Sequence, residues 1–279
     1  MSWSLRHSRG VWVSDRPWVM GIVNITPDSF SDGGSFLDPE AAVEHALQLV
    51  HEGADILDLG AESTRPGSSP VPVEEELRRL IPVIKALRRR TDIPLSVDTS
   101  QPEVMRQAAA EGVNLLNDVR ALMLPGALEV AAETGLAVCL MHMQGQPLHM
   151  QSNPGYGNLR QEVMSFLQGR VKACLETGID QRSICVDPGF GFGKTLQHNL
   201  ELMAHLHDLL ELGPVLVGAS RKSMLGVALG GRPVHERMPA GLAAALWAAK
   251  EGAAILRTHD VQATCDVLRI WRLIEEHKA

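Results

Sequence analysis

The chain has 279 residues, of which 45% are hydrophobic and 21% are charged, an ordinary balance for a soluble globular protein. Its net charge of −7 argues against a nucleic-acid binder, because such proteins usually carry a basic face. The charge does not exclude a small anionic substrate, since a local cationic pocket can form on an acidic protein. No run approaches the roughly 18 apolar residues of a membrane-spanning helix, so no membrane partner is expected.

The cysteines and the N-terminus indicate a cytoplasmic protein. All four cysteines sit in apolar runs, and none belongs to a C-x-x-C pair. Neither a disulfide framework nor a structural zinc site is therefore expected, and buried reduced thiols fit the cytoplasm. Residues 1–16 lack the apolar core of a signal peptide.

From residue 18 onward one unit recurs: an amphipathic stretch ends at a glycine, and a short apolar run then ends in polar residues. The first apolar run covers residues 18–23, and Asp38 and Pro39 follow as an N-cap and a first helical residue. Seven further apolar runs predict strands over 56–60, 94–98, 113–117, 136–141, 184–187, 215–218 and 253–257. A final helix is predicted over 261–276.

Strands that alternate with helices predict parallel β/α units, and uninterrupted apolar runs suit strands covered on both faces. Eight such units favour a closed (β/α)8 TIM barrel, which takes about 250 residues, over an open Rossmann-type sheet. We therefore expect a single-domain α/β protein with an N-terminal extension over residues 1–17 and the barrel over residues 18–279. Pro82 lies inside the second helical pattern and predicts a kink or a late helix start.

Polar side chains follow every predicted strand, at the end of the barrel where enzymes of this fold build their active sites. One group, with donors and acceptors suited to a flat polar heterocycle, consists of Asp98, Asn117, Asp187 and Lys222. A second group, suited to a phosphate or diphosphate, consists of Arg65, Arg257 and His259. Asn24, after the first strand, offers an oxygen ligand for a Mg2+ ion that is shared with phosphate oxygens.

Simpler interpretations stay open at several of these positions. Asp98 could cap a helix, Asp187 could form a turn, and Lys222 could be a surface lysine. His259 could be a solvated helix start, and His142, after the fifth strand, could be a core histidine.

Two loop features also bear on function. Residues 189–195 suggest a nucleotide-binding P-loop, but the first glycine of that motif would fall on Pro188, so no such site is predicted. The connections over 24–38 and 63–73 are long for β/α loops, and loops of this kind often act as lids.

Longer motifs carry a family resemblance. Residues 21–34 (GIVNITPDSFSDGG) and 60–67 (GAESTRPG) resemble the two signatures of dihydropteroate synthases. Shorter matches cover residues 96–99, 117–118, 141–145, 187–194, 220–223 and 257–260. The resemblance extends from about residue 18 to about residue 272.

This resemblance implies a role for each matching residue. The pterin ring would be held by Asp98, Asn117, Asp187 and Lys222, in a pocket lined by Met141 and Phe192. The diphosphate would be bound by Arg65, Arg257 and His259, and the metal by Asn24. The p-aminobenzoate position would be bordered by Phe30, Thr64, Pro66 and Ser223. The family is usually homodimeric and is the target of sulfonamides, and its two long loops close over the site.

The implied reaction joins a pterin diphosphate to p-aminobenzoate and gives dihydropteroate, a folate precursor. Mg2+ and the basic residues would neutralise the departing diphosphate, and Asp98 would stabilise positive charge on the pterin's exocyclic carbon before the arylamine attacks. Asp98, Lys222 and Arg257 are the expected catalytic residues, and no enzyme nucleophile is expected.

Three rival functions use the same residues differently. A pterin-dependent methyltransferase would explain the pterin ligands but not the cationic group. A Schiff-base aldolase would use Lys222 as its nucleophile. A non-catalytic pterin-binding protein would bind the pterin diphosphate without turnover.

Overall fold

The computed structural model describes residues 3–26, 39–62, 71–146 and 149–277. Four residues with predicted roles, Phe30, Thr64, Arg65 and Pro66, lie outside these ranges, as does most of the two predicted lid loops. Their roles stay predictions.

The described chain alternates strands and helices as predicted. Its strands are β1 (Trp3–His7), β2 (Gly10–Ser14), β3 (Trp18–Asn24), β4 (Ile56–Gly60), β5 (Leu95–Asp98), β6 (Leu115–Asp118), β7 (Ala137–Met141), β8 (Ile184–Asp187), β9 (Leu216–Val217) and β10 (Ile255–Thr258). Its α-helices are α1 (Pro39–His51), α2 (Val73–Arg88), α3 (Pro102–Ala110), α4 (Ala127–Thr134), α5 (Leu159–Glu176), α6 (Leu196–Ala204), α7 (Ser223–Ala228), α8 (Met238–Lys250) and α9 (Val261–Glu276). Short 3-10 turns cover Gln181–Ser183, Leu206–Leu212 and Val234–Glu236.

The strands from β3 to β10 form one parallel sheet in the order β8-β7-β6-β5-β4-β3-β10-β9. A parallel bridge between Val186 and Val215 joins β8 to the residues just before β9, so the sheet curls into a ring. The predicted (β/α)8 barrel is confirmed. The predicted strands agree with the observed ones within two residues at each end.

Alternate residues of each strand serve two different cores, because successive side chains point to opposite faces. On β3, Val19 and Val23 pack toward the helices, whereas Trp18 and Met20 belong to a separate cluster inside the barrel. This inner cluster also takes at least one residue from most other barrel strands: Ile56, Leu115, Ala137, Cys139, Cys185, Leu216 and Ile255. The inner faces of the strands therefore fill the barrel from its N-terminal end.

The N-terminal extension forms an antiparallel hairpin of β1 and β2. Leu5, at 0% exposure, belongs to the inner cluster of the barrel, and Trp3 and Trp12 pack against the same cluster. The hairpin thus covers the N-terminal end of the barrel, opposite the expected site. The division of the chain at residue 17 stays a prediction.

The outer helices follow from their apolar spacing. In α2, Leu80, Val83, Ile84 and Leu87 are buried at the i, i+3, i+4, i+7 spacing of one helical face. This helix begins at Val73 and contains Pro82, so the expectation of a late helix start is wrong.

Two further observations concern the whole described chain. All four cysteines are free, with Cys139, Cys174 and Cys185 buried and Cys265 half-buried. Among the helices of the described ranges, none is long and apolar enough to cross a membrane.

The buried position of Leu5 predicts that shortening its side chain strongly lowers the stability of the fold. Leu5→Ala should lower the free energy of unfolding by about 2–5 kcal/mol, because it leaves a cavity between the hairpin and the barrel. Urea denaturation measures this loss. The control is Val13→Ala on the same hairpin, where the side chain is 71% exposed, with an expected change below about 1 kcal/mol. Equal losses in the two variants would show that the hairpin does not seal the barrel.

Candidate active site

The site is built by strand periodicity. Two residues after five members of the inner cluster, the same face of the strand presents a site residue at the C-terminal mouth of the barrel. Asn117 follows Leu115 in this way, Asp187 follows Cys185, and Met141 follows Cys139. On the other side of the mouth, Arg257 follows Ile255 and Asp58 follows Ile56. A ring of polar residues therefore lies directly above the apolar filling.

The guanidinium of Arg257 crosses the mouth between two carboxylates. Its Nε donates to Oδ2 of Asp58 at 2.6 Å, and its Nη2 donates to Oδ2 of Asp98 at 2.9 Å. The amide of Asn117 donates to the same Oδ2 of Asp58 at 3.0 Å. Burial acts to lower the pKa of Arg257, but Asp58 and Asp98 outweigh it, so the pKa is raised.

Asp98 carries an unusual carboxyl group. Burial raises its pKa to about 7, against the opposing influence of Arg257. The residue does not cap α3, whose N-cap is Gln101, so the capping interpretation is wrong. A carboxylate that is poorly solvated and faces the mouth is suited to interact with positive charge on a bound molecule.

Lys222 and Asp187 occupy the opposite side of the ring. The ammonium of Lys222 donates to the carbonyl of Phe190 and lies 4.7 Å from the centroid of the Phe192 ring. Burial lowers the pKa of Lys222 to about 8, and Asp187 opposes this shift. The surface interpretation of Lys222 is therefore wrong. Asp187 also accepts a bond from the backbone N–H of Gly189 at 2.7 Å, so it is a turn residue as well as a member of the ring.

An apolar wall stands beside this polar ring. Met141 and Phe192 pack together with Val119, Met150 and Met143. A wall of sulfur-containing and aromatic side chains next to a set of hydrogen-bond donors and acceptors suits a flat heterocycle. The two residues predicted to line the pocket thus lie in one cluster.

The remaining predicted residues surround the mouth. Nδ1 of His259 lies 3.1 Å from Oγ of Ser220, and the backbone N–H of His259 donates to that oxygen. Asn24 is half-buried at the end of β3, and Ser223 is exposed at the start of α7. His142 is buried, as expected for a core histidine.

Asp58 is a site residue for which no role was predicted. It is wholly buried, and its Oδ1 has no hydrogen-bond partner within the described ranges. Its position differs from the strand-end residues, because two more residues of β4 follow it. The sequence feature that could have identified Asp58 is its carboxylate within the apolar run 56–60, two residues after Ile56 of the inner cluster.

Behind the ends of β5 and β6 lies a second buried group of acids. The carboxylate of Asp118 accepts bonds from the hydroxyl of Ser100 and from the backbone N–H groups of Arg120 and Leu122. These bonds fix the chain that follows Asn117. The neighbouring Glu76, from α2, is wholly buried, and burial is the largest cause that raises its pKa to about 7.

Metal ligands are sparse. Within the described ranges, no three His, Cys, Asp or Glu side chains are grouped so that they could hold a metal ion. The donor set of the mouth therefore fits a magnesium ion that arrives with phosphate oxygens better than one held by protein ligands alone.

Comparisons with known proteins agree with this geometry. The profile of the family described as "Pterin binding enzyme" matches residues 20–259. The chain is 50% identical over 257 residues to the dihydropteroate synthase of Haemophilus influenzae. This aligned region covers 92% of this chain and 93% of that protein. A Xanthomonas albilineans dihydropteroate synthase structure with 4-aminobenzoic acid superposes with a TM-score of 0.93 at 51% identity, covering 99% of each chain. A second structure of that enzyme, with 7,8-dihydropteroate, has a TM-score of 0.88 at 48% identity and covers 98% of each chain.

The fold, the ring and the family match define an enzyme of the pterin-binding class. Within that class, the chain belongs to the dihydropteroate synthase family.

The contacts of Asp58 predict a strong effect of removing its charge. Asp58→Asn should lower the free energy of unfolding by roughly 3–5 kcal/mol, because it breaks an ion pair at a wholly buried position and leaves the largely buried guanidinium of Arg257 with one carboxylate partner instead of two. Urea denaturation tests this. The control, Asp15→Asn, removes a carboxylate that pairs with Arg272 in solvent, and should change stability by less than about 1 kcal/mol. A loss as small as that of the control would contradict the described role of Asp58.

The raised pKa of Glu76 predicts a dependence of stability on pH. Between about 4.5 and about 7 folded Glu76 keeps a proton that the unfolded chain has released, so the contribution of Glu76 to the free energy of unfolding falls as pH rises through this window. Glu76→Gln lacks this loss. Its stability relative to wild type should therefore rise across the window by on the order of 3 kcal/mol.

Denaturation curves at pH 4.5 and pH 7.5 measure the difference. Glu176→Gln, at an exposed position on α5, is the control and should change stability by less than about 0.5 kcal/mol at either pH. The same wild-type-to-Gln difference at both pH values would rule out a proton on buried Glu76.

Proposed function

We propose that this protein condenses 7,8-dihydropterin-6-ylmethyl diphosphate with p-aminobenzoate to give 7,8-dihydropteroate and diphosphate, a step of folate biosynthesis. The observation that carries this proposal is the polar ring of Asp58, Asp98, Asn117, Asp187, Lys222 and Arg257 beside an apolar wall. Structures of the Xanthomonas albilineans relative with 4-aminobenzoic acid and with 7,8-dihydropteroate support the same pair of substrates.

The pterin ring is bound by complementary hydrogen bonds. The carboxylate of Asp187 accepts from ring N–H and amino groups, while Asn117 and Lys222 donate to ring nitrogen and carbonyl acceptors. Phe192 and Met141 cover the ring faces. Because neighbouring residues hold these protein donors and acceptors in place before the substrate arrives, little reorganisation of the protein is needed on binding.

The reaction replaces a carbon–oxygen bond by a carbon–nitrogen bond. The bond between the exocyclic carbon and the diphosphate breaks, and the electron pair leaves with the diphosphate. Asp98 stabilises the positive charge that develops on the pterin, and Arg257 holds this carboxylate in place. The amine of p-aminobenzoate then attacks the carbon, and its nitrogen releases a proton to water.

The diphosphate is received by cationic and hydrogen-bonding groups at the rim. We assign this role to Arg257, His259 and Arg65, and we assign the border of the p-aminobenzoate position to Phe30, Thr64, Pro66 and Ser223. Asn24 would provide a protein oxygen to Mg2+, and the ion when bound neutralises the leaving diphosphate. The single neutral ligand fits an ion that enters with the substrate.

We also propose that two copies of the chain form a homodimer in the cytoplasm. The support is a set of large apolar side chains exposed on the last helices and the turn before α8: Val227, Val234, Met238, Trp247, Ile270, Leu273 and Ile274. Exposed apolar surface that forms a large patch is typical of protein interfaces. The four free cysteines support a reducing compartment.

A turnover assay tests the reaction. The protein is mixed with the pterin diphosphate, p-aminobenzoate and Mg2+, and we expect diphosphate and dihydropteroate to appear in equal amounts. Lys222→Ala should reduce kcat/KM for the pterin substrate by about a hundredfold, because it removes a half-buried charged donor to the pterin ring. Lys172→Ala, at an exposed position on α5, is the control and should keep wild-type activity.

Folded protein that binds the pterin but yields no product would refute the reaction and favour a non-catalytic pterin-binding protein. Methyl transfer from a reduced pterin in place of condensation would favour the pterin-dependent methyltransferase. Borohydride trapping of a carbonyl compound on Lys222 would favour the aldolase.

A further inference from the structure

The loop between β8 and α6 is held by side chains along its whole length. We call residues 189–193 the glycine loop. Each of its five successive backbone carbonyls accepts a hydrogen bond from a side chain: Gly189 and Phe192 from Lys194, Phe190 from Lys222, Gly191 from Gln151, and Gly193 from Tyr156. Loops usually leave such carbonyls to water, so this loop is built to keep one conformation.

The backbone of the glycine loop also fits closely against the chain after β7. Gly189 has φ +70°, and a Cβ atom there would collide with the carbonyl oxygen of His142. Gly193 has φ +64°, and a Cβ atom there would lie 2.5 Å from the carbonyl oxygen of Gln144. Both positions therefore require glycine, for conformation and for space.

Lys194 is the side chain that joins these two segments. It is only 3% exposed, and its Nζ lies 3.0 Å from the carbonyl oxygen of Gly189 and 3.1 Å from that of Phe192. The same Nζ lies 2.9 Å from Nδ1 of His142, which accepts the bond because burial and Lys194 lower the pKa of that histidine to about 3. The ammonium thus finds its acceptors within the protein.

The glycine loop in turn places three groups that face the barrel mouth. The carbonyl of Phe190 holds the ammonium of Lys222, and the ring of Phe192 lies 4.7 Å from that ammonium. The N–H of Gly189 donates to Asp187. A shift of the loop would therefore move Lys222, Phe192 and Asp187 together.

We propose that Lys194 is a positioning residue for the pterin pocket: its buried ammonium fixes the glycine loop, and the loop places Lys222 and Phe192 against the pterin ring. This inference rests on the proposed function. A residue that only stabilises the fold would affect both substrates alike. Loss of the Lys194 ammonium should instead weaken binding of the pterin diphosphate and leave that of p-aminobenzoate unchanged.

The test compares Lys194→Met with Tyr156→Phe. The first variant removes the ammonium from a side chain of similar length; the second removes another hydrogen bond to the same loop, at Gly193, beyond Phe190 and Phe192. For each folded variant we would measure the Kd of the pterin diphosphate, the KM of p-aminobenzoate and kcat. The measurements are made below pH 7, because burial lowers the pKa of Lys194 to about 7.

We expect Lys194→Met to raise the pterin Kd about tenfold or more, since hydrogen bonds from a charged donor contribute a factor of that size. The KM of p-aminobenzoate should stay within about twofold, and Tyr156→Phe should change the pterin Kd by less than about threefold. An unchanged pterin Kd in Lys194→Met would overturn the proposal. The proposal would also be overturned if less of the variant folds but the folded molecules bind both substrates as tightly as the wild type does.

A second variant covers poor folding. Lys194→Gln keeps a donor amide without the charge, and should give an intermediate pterin Kd. If neither variant folds by circular dichroism, the role of Lys194 is structural and the proposal is wrong. Wild-type turnover, measured first, separates failure of this inference from failure of the proposed reaction, and the pterin Kd does not depend on turnover.

Discussion

One largely buried guanidinium, on a side chain that is 20% exposed, connects distant parts of the barrel at the level where substrate binds. Arg257 extends from β10 to Asp58 on β4 and to Asp98 on β5, past the intervening strand β3. Ionised groups are expensive to bury, and in the low dielectric of the mouth this set is stable only because its members neutralise one another. Asn117 is drawn into the same set through Asp58, so four strands share one electrostatic constraint.

The chemistry follows from how this charge is balanced. Asp98 is desolvated and held by one side of Arg257, so its oxygens can face a cationic centre on the pterin without first losing water. Lys222 and Asp187 form the other half of the pocket, where Lys222 partly offsets the burial of Asp187. Binding of the ring and stabilisation of the charge that develops on it therefore depend on separate halves of one preorganised site.

Much of this arrangement could be predicted from the sequence. The eight strands are predictable because each is a short apolar run, six of them after a glycine, and the polar residue at the end of a parallel strand points to the same mouth. Asp98, Asn117, Asp187, Lys222 and Arg257 were predicted on that ground and lie together around the mouth. Alternation within a strand explains why an apolar residue and a site residue stand two positions apart.

Other features depend on contacts that no local pattern encodes. Asp58 lies inside its strand rather than after it, and only its pairing with Arg257, 199 residues later, reveals its part in the site. The sequence groups Arg257 with His259 as anion ligands, but no local pattern shows that its guanidinium also bridges Asp58 and Asp98. Lys194 belongs to a sequence motif, but its contacts with the segment after β7 arise only when two β/α units pack side by side.

The most direct test of this account is the affinity of Arg257→Lys for a pterin that lacks the diphosphate, measured by isothermal titration calorimetry. Omitting the diphosphate removes any contribution of Arg257 to anion binding. A lysine keeps the charge but cannot donate in two fixed directions to both Asp58 and Asp98, so the account predicts at least about a tenfold loss of affinity in folded protein. Wild-type affinity in Arg257→Lys would show that the bridging guanidinium does not organise the pterin pocket.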